Sequence, residues 1–253
     1  MRVEIINKEE LLNMVKNHGE FACVCYGTPD KYAEKVGKSC QESGHMSGSR
    51  CEYIKFRIYD IDRGTAEQIM RHEVGTNIPF DEQDNYSFID INPSNMVKNM
   101  ASFRYIDKDG FKYTIPRTIR NCPAAVKLYN NLMRHIDSER RKIKEILESS
   151  GVNPKKATED ANFVLPRATE TALTIGFTPE ALINFMYKRL CVRAQDEIRA
   201  VAIEMKKQVK GVLPEFSKKL QPHCKYLMWC PEGKNDCMAP TKDELRKIIG
   251  KAD

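Results

Sequence analysis

Gln68-Ile69-Met70-Arg71-His72-Glu73 and Asn99-Met100-Ala101-Ser102-Phe103-Arg104-Tyr105 are the two ends of the stretch that decides how the chain is read. The first end reads as the close of a short helix. Ala66, Ile69 and Met70 face inward, and Gln68, Arg71 and His72 lie on the other faces. Upstream, Asp62-Arg63-Gly64-Thr65 is a turn, with Thr65 as N-cap and Gln68 completing a capping box. The second end reads as an extended segment, with Ser102 and Arg104 on one face at i and i+2. A hydroxyl and a guanidinium so placed suit a phosphate and a polar ring better than a metal. Taken alone, Arg71 and His72 are equally well a solvated helix end.

Working outward, residues 74–98 carry no sustained period and form an insert too long for a plain connection. Downstream, Phe103-Arg104-Tyr105-Ile106 and Phe111-Lys112-Tyr113-Thr114-Ile115 flank Asp107-Lys108-Asp109-Gly110, which predicts a hairpin. Upstream, Tyr53 to Ile61 alternates as a strand. Residues 8–18 predict a helix stopped by Gly19, with Leu11, Leu12 and Val15 inward. Phe21 to Tyr26 predicts a buried strand, and Asp30 to Glu42 a helix ended by Gly44. Pro123 opens the longest helix, to about Ser149. Its apolar side is Val126, Leu128, Leu132, Ile136, Ile143 and Leu147, and its charged middle, Asp137 to Lys144, is predicted to be solvated. Thr169 to Phe177 predicts a strand, and Thr178-Pro179 caps the helix after it.

The chain has 253 residues, a net charge of +6, 41% hydrophobic and 30% charged residues. That is an ordinary globular composition, and the mild charge suits an anionic small ligand without requiring nucleic acid. No apolar run is long enough to span a membrane, and the N-terminus reaches Glu4 too soon for a signal peptide, so a cytoplasmic protein is expected. Nine cysteines point to reduced thiols or a metal rather than a disulfide framework. Cys23, Cys25 and Cys191 are expected to be small buried residues. His223, Cys224, Cys230 and Cys237 in the tail 221–253 are soft ligands that could hold zinc. Their spacing is irregular and lacks a paired C-x2-C, so no metal is assigned. Thr241-Lys242-Asp243-Glu244 caps a last short helix. Arg189 and Arg193, four apart, would share a face around an anion if one helix ran through both.

Five patches in order resemble the flavin-dependent thymidylate synthases, the thymidylate synthase complementing family. They are Gly44-His45-Met46-Ser47; Arg71-His72-Glu73 with Asn99 to Tyr105; Tyr113-Thr114-Ile115-Pro116; Val164-Leu165-Pro166; and Leu182-Ile183-Asn184-Phe185 with Arg189 and Ala194-Gln195-Asp196-Glu197-Ile198-Arg199. The resemblance covers about residues 20–220 and implies an α/β (α+β) fold, an antiparallel or mixed central sheet flanked by long helices, in a single domain over 1–220 interrupted by the insert. It implies a homotetramer, a pyrimidine deoxynucleotide as substrate, and FAD, NADPH and methylenetetrahydrofolate as cofactors. It places Gln68, Arg71, Ser102, Arg104 and Arg189 on the nucleotide, with Arg189 and Ser102 as the catalytic pair. It places His45, Ser47, His72 and Asn184 on flavin or folate. Departures from the family pattern are Glu73, Met100, Phe103, Ala172, Thr178, Glu180 and Arg193. Ala172 stands where the family has a phosphate-binding arginine, and Arg193 is the expected replacement for that charge. These departures leave two alternatives open. One is altered one-carbon chemistry such as hydroxymethylation; the other is a non-catalytic nucleotide or nucleic-acid binder.

Overall fold

A computed structural model describes residues 1–72, 96–104, 108–233 and 237–249. Four strands, β1 (Arg2–Ile5), β2 (Ile54–Asp62), β3 (Met96–Met100) and β4 (Glu170–Phe177), form one antiparallel sheet in the order β1-β2-β4-β3. The helices are α1 (Lys8–Leu11), α2 (Met14–Tyr26), α3 (Ala33–Ser43), α4 (Arg63–Met70), α5 (Arg117–Arg120), α6 (Pro123–Ser149), α7 (Pro154–Ala161), α8 (Pro179–Arg189), α9 (Asp196–Val212), α10 (Pro214–Ser217), α11 (His223–Leu227) and α12 (Lys242–Ile249). The α/β expectation therefore stands. Among the described residues no helix is long and apolar enough to cross a membrane. Most of the predicted insert, with Glu73 and Tyr105, lies outside the described residues; its last three residues open β3.

The chain divides into two compact units, with boundaries inside β2 and β4. The first holds residues 1–2, 58–71 and 99–174. Here Asp62, not Thr65, is the N-cap of α4. Its Oδ1 accepts from the Thr65 amide at 2.7 Å and its Oδ2 from the Thr65 hydroxyl at 2.7 Å. The predicted hairpin falls in part on residues 105–107, outside the described residues; the described residues on either side pair with residues 168–172. The Ala101 amide donates to Ala172 O at 2.9 Å, and Tyr113 bridges Thr169. Ser102 to Arg104 is a turn, not extended backbone, with the Arg104 amide donating to Ser102 Oγ at 3.3 Å.

On α6 the predicted faces hold only in part: Val126, Ile136 and Leu147 are half-buried and most of the charged middle is exposed. Leu128, Leu132 and Ile143 are exposed, and the buried positions are Met133, Asp137 and Arg140. Arg140 is fully buried because it has anionic and amide partners. Its guanidinium pairs with Asp109 and Asp137, and its Nη1 donates to Asn162 Oδ1 at 3.2 Å. Asn162 Nδ2 in turn donates to the Phe103 carbonyl at 2.6 Å. This network ties α6 to the turn that carries Ser102 and Arg104.

The second unit holds residues 3–57, 72–98 and 175–253. Gly19 does not stop a helix. It lies inside α2, and a Cβ there would come within 1.6 Å of the Ala33 carbonyl oxygen. Gly37 of α3 likewise faces the Val15 carbonyl, so paired glycines let the two helix backbones touch. Phe21 to Tyr26 is accordingly helix rather than strand. Met14, His18 and Ala22 face inward at i, i+4 spacing, while Leu12, Phe21, Val24 and Tyr26 stay exposed. The core is built from Phe56, Phe177 and Phe185, all fully buried, with Ile198, Val201, Ala202 and Met205 of α9. Each such phenylalanine contributes about 1.5–3 kcal/mol of burial energy. Thr178 caps α8 as expected, its Oγ1 accepting from the Ala181 amide at 3.3 Å, and Thr241 and Glu244 form the predicted capping box of α12.

Candidate functional site

In the first unit a cavity of about 510 Å³ opens beside the Ser102 turn, lined among others by Arg63, Glu67, Arg104, Glu159 and Arg167. Arg63 Nε lies 3.0 Å from Glu67, Arg167 Nη2 3.6 Å from Glu67, and Arg104 Nε 2.9 Å from Glu159. Three guanidiniums against two carboxylates leave the wall net cationic. The turn brings Ser102 and Arg104 to one cavity by a different geometry from the predicted strand. Phe103 stands in the wall of this cavity. Its ring is buried, with the Arg63 guanidinium 4.7 Å and the Lys108 ammonium 4.6 Å from its centroid. Gln68 is half-buried on α4, and Arg71 at the helix end is exposed; neither lines the cavity.

In the second unit His72 is only 7% exposed, and among the described residues neither ring nitrogen has a hydrogen-bond partner in another residue. The ring lies edge-on to Phe185, centroids 5.1 Å apart. Burial first, then the charges of Arg189 and Lys188, push its pKa down to about 4, so the imidazole is neutral at pH 7. Arg189, the last residue of α8, is half-buried, and burial lowers its pKa too. Its Nε has no partner. Buried polar atoms are rarely left unpaired, and two such groups in mutual electrostatic reach call for a polar ligand. Asn184 is exposed on α8. Arg193 is not on a shared helix face with Arg189. The helix stops at Arg189, and Arg193 Nη1 pairs with Glu232 at 2.7 Å, so the anion-sharing expectation fails.

His45 is exposed, its Nδ1 3.1 Å from the Tyr26 hydroxyl, and Ser47 opens a 3-10 turn, Ser47–Cys51. Two residues of this region escaped the sequence reading. His18, buried in α2, supports the loop from below. A Cβ on Gly48 would come within 2.7 Å of its ring, and burial lowers its pKa, keeping it neutral. Arg50 donates through Nε to Glu180 Oε2 at 2.6 Å. The carboxylate at 180 therefore does not face a ligand unopposed. The partners are 130 positions apart, and no sequence spacing signals them.

A half-buried arginine, a neutral buried imidazole and a separate arginine-edged cavity are chemically suited to small anionic, ring-bearing molecules. Residues 12–215 match the family model described as thymidylate synthase complementing protein. Flavin-dependent thymidylate synthase of Nitratidesulfovibrio vulgaris is 34% identical over 195 residues, covering 77% of this chain and 71% of the relative. That of Clostridium tetani is 30% identical over 230 residues, covering 87% and 83%. That of Geobacter sulfurreducens is 29% identical over 226 residues, covering 85% of each. The chain belongs to the thymidylate synthase complementing protein family, which is a family of enzymes.

Proposed function

We propose that this chain is a flavin-dependent thymidylate synthase, moving a one-carbon unit from methylenetetrahydrofolate to C5 of deoxyuridine monophosphate, with reducing electrons drawn from NADPH. The observation that carries the reading is the pair of ligandless buried groups, His72 and Arg189. Both atom sets fit the polar edge of a flavin or pyrimidine ring. A neutral imidazole can donate from one nitrogen and accept at the other. Bound flavin would supply the hydride chemistry. The Arg189 guanidinium, partly stripped of water, stabilises negative charge as it develops on the uracil ring. Ser102 and Arg104 hold the nucleotide at the cationic cavity. Gln68 and Arg71 belong to the same substrate set, and His45, Ser47, His72 and Asn184 to the cofactor set. The phosphate charge that Ala172 lacks is supplied by Arg63 and Arg167 rather than by Arg193, which Glu232 already engages. Arg50 neutralises the Glu180 carboxylate, one of the departures from the family pattern.

A homotetramer is part of this reading, and the exposed Leu128, Leu132, Ile143 and Ile146 of the 27-residue α6 support a partner subunit there. Light scattering on the purified chain tests this, with a monomer at micromolar concentration as the contrary result.

The activity is tested by reconstituting the protein with FAD and supplying deoxyuridine monophosphate, methylenetetrahydrofolate and NADPH, with the product read by mass. Thymidylate is expected, together with rescue of a thymidine-requiring strain. A hydroxymethylated product would shift the reading to altered one-carbon chemistry. Failure to bind flavin and absence of any product would overturn it.

A further inference from the structure

The thiols form no second centre. Among the described residues no three metal-ligating side chains lie close enough to hold a metal ion. Two cysteines also differ from expectation. Cys25 is exposed, because it shares the solvent face of α2 with Phe21 at i, i+4 spacing, and Cys191, just past the end of α8, is half-buried.

A second cavity, of about 500 Å³, lies in the second unit and is lined by none of the residues assigned to nucleotide, flavin or folate. The junction of α1 and α2 contributes Leu12 and Val15. Lys38, Gln41 and Glu42 come from one face of α3. Phe216 of α10 and Lys219 after it close the wall. The Lys219 ammonium donates to the Gln41 carbonyl, a cation set against the C-terminal turn of α3.

Gln41 is the unusual residue of this wall. It is 8% exposed, and among the described residues its side-chain Nε2 has no hydrogen-bond partner. A buried amide donor left unpaired is costly, so the cavity lacks an acceptor at this point. Lys219 is half-buried, and burial lowers its pKa while the Glu42 carboxylate opposes the shift. An ammonium short of water gains more from an incoming anion than a surface lysine does. The remaining wall limits what can enter. Leu12 (exposed), Val15 and buried Phe216 offer apolar surface. Lys16, Lys38, Lys218 and Lys219 stand with Glu34, Glu42 and Glu215, a surplus of one positive charge. Lys218 is already engaged by Glu215 at 2.6 Å. A single negative charge is matched there, whereas the carboxylates would repel a phosphate dianion or a nucleotide.

We infer that this cavity is a second ligand site, for a small monocarboxylate with a short apolar body. Gln41 Nε2 and the Lys219 ammonium take the carboxylate oxygens, and Leu12, Val15 and Phe216 cover the body. The volume suits a molecule of that size. Binding makes and breaks no covalent bond, and the site is independent of the proposed synthase activity.

The test is titration calorimetry on the full chain, with benzoate as the probe, benzamide as its neutral match and inorganic phosphate as the dianion. Benzoate is expected to saturate a single site per chain with a Kd of about 1 mM or tighter. Benzamide binds at least about tenfold more weakly, and phosphate does not compete. Gln41→Leu and Lys219→Met each weaken benzoate at least about tenfold. Leu12→Glu, at a position 73% exposed where folding is not at stake, weakens it too by adding a carboxylate to the wall. Arg104→Ala, in the other cavity, and excess deoxyuridine monophosphate leave benzoate binding unchanged. No saturation by about 10 mM, benzamide binding as tightly as benzoate, displacement by deoxyuridine monophosphate, or unaltered binding in Leu12→Glu and Lys219→Met would each overturn the site.

Discussion

His72→Phe separates the two roles of the buried imidazole. The replacement keeps an aromatic ring beside Phe185 and removes two nitrogens that no other residue satisfies. The folded-state pKa of about 4 lies below the ordinary 6.5. Between those values the unfolded chain binds a proton that the folded chain refuses, so stability falls as pH falls through the window and is full above 6.5. Each pH unit inside the window is worth at most about 1.4 kcal/mol. From pH 7.5 to 4.5 the window spans two units, a ceiling of about 2.7 kcal/mol, trimmed to about 2 by the effective dielectric around the ring. Urea unfolding followed by circular dichroism at both pH values measures it. Wild type loses about 2 kcal/mol more than His72→Phe on acidification, because the carboxylates common to both cancel. At pH 7.5 the variant is at least as stable as wild type, since two unsatisfied atoms are gone. Its flavin retention falls at least about tenfold, because phenyl can neither donate nor accept. Parallel pH curves for the two proteins would refute the account of the buried ring, and unchanged flavin retention would refute its ligand role.

Arg140→Met removes the fully buried guanidinium that joins Asp109, Asp137 and Asn162 and so props the Phe103 carbonyl, while Arg141 still pairs with Asp137. Unfolding free energy drops by about 1.5–3 kcal/mol, the worth of the charge-assisted hydrogen bonds lost, read as a fall in the urea midpoint. Gly19→Ala drives a methyl into the Ala33 carbonyl and costs about 3 kcal/mol or more, whereas Gly211→Ala, with nothing within 4 Å, gains about 0.5–1 kcal/mol. Thermal melts compare the pair. Arg167→Ala, in the cavity wall but outside the matched motifs, raises KM for the nucleotide about tenfold with kcat little changed; a kcat loss at constant KM would assign it elsewhere. Asp62→Ala removes the α4 cap and lowers stability by about 1–2 kcal/mol, measured in the same urea assay.

The elements legible in the sequence are those whose local rule and tertiary environment agree. Ile54, Phe56 and Ile58 alternate and are all fully buried in β2. Thr178-Pro179 starts α8, and Gly44, at φ +80°, ends α3. Errors arose where a residue type serves two physical ends. Glycine stops a helix in water, but at Gly19 it lets two backbones meet. The apolar run Phe21 to Tyr26 looks strand-like because its exposed members are apolar as well. On α6 the charged middle is largely solvated as its composition predicts, and only Asp137 and Arg140 are buried, because Asp109 and Asn162, distant in sequence, complete their pairing.

The same distinction governs the candidate site. Ser102 and Arg104 were found by residue type although their backbone was misread, because an i, i+2 turn and an i, i+2 strand both leave the two side chains near one cavity. The charge pattern could not be found that way. Glu180 and Ala172 each remove a cation expected from the family pattern, and linear reading offered Arg193 as the nearest substitute. Folding gives each loss its own remedy. Arg50 arrives beside Glu180 from across the unit, and Arg63 and Arg167 stand in the cavity next to the Ala101–Ala172 pairing. Arg193 meanwhile pairs with a tail carboxylate. A binding site needs net charge at a position in space, so substitutions at the motif positions themselves are weak evidence for lost activity until their neighbours are known.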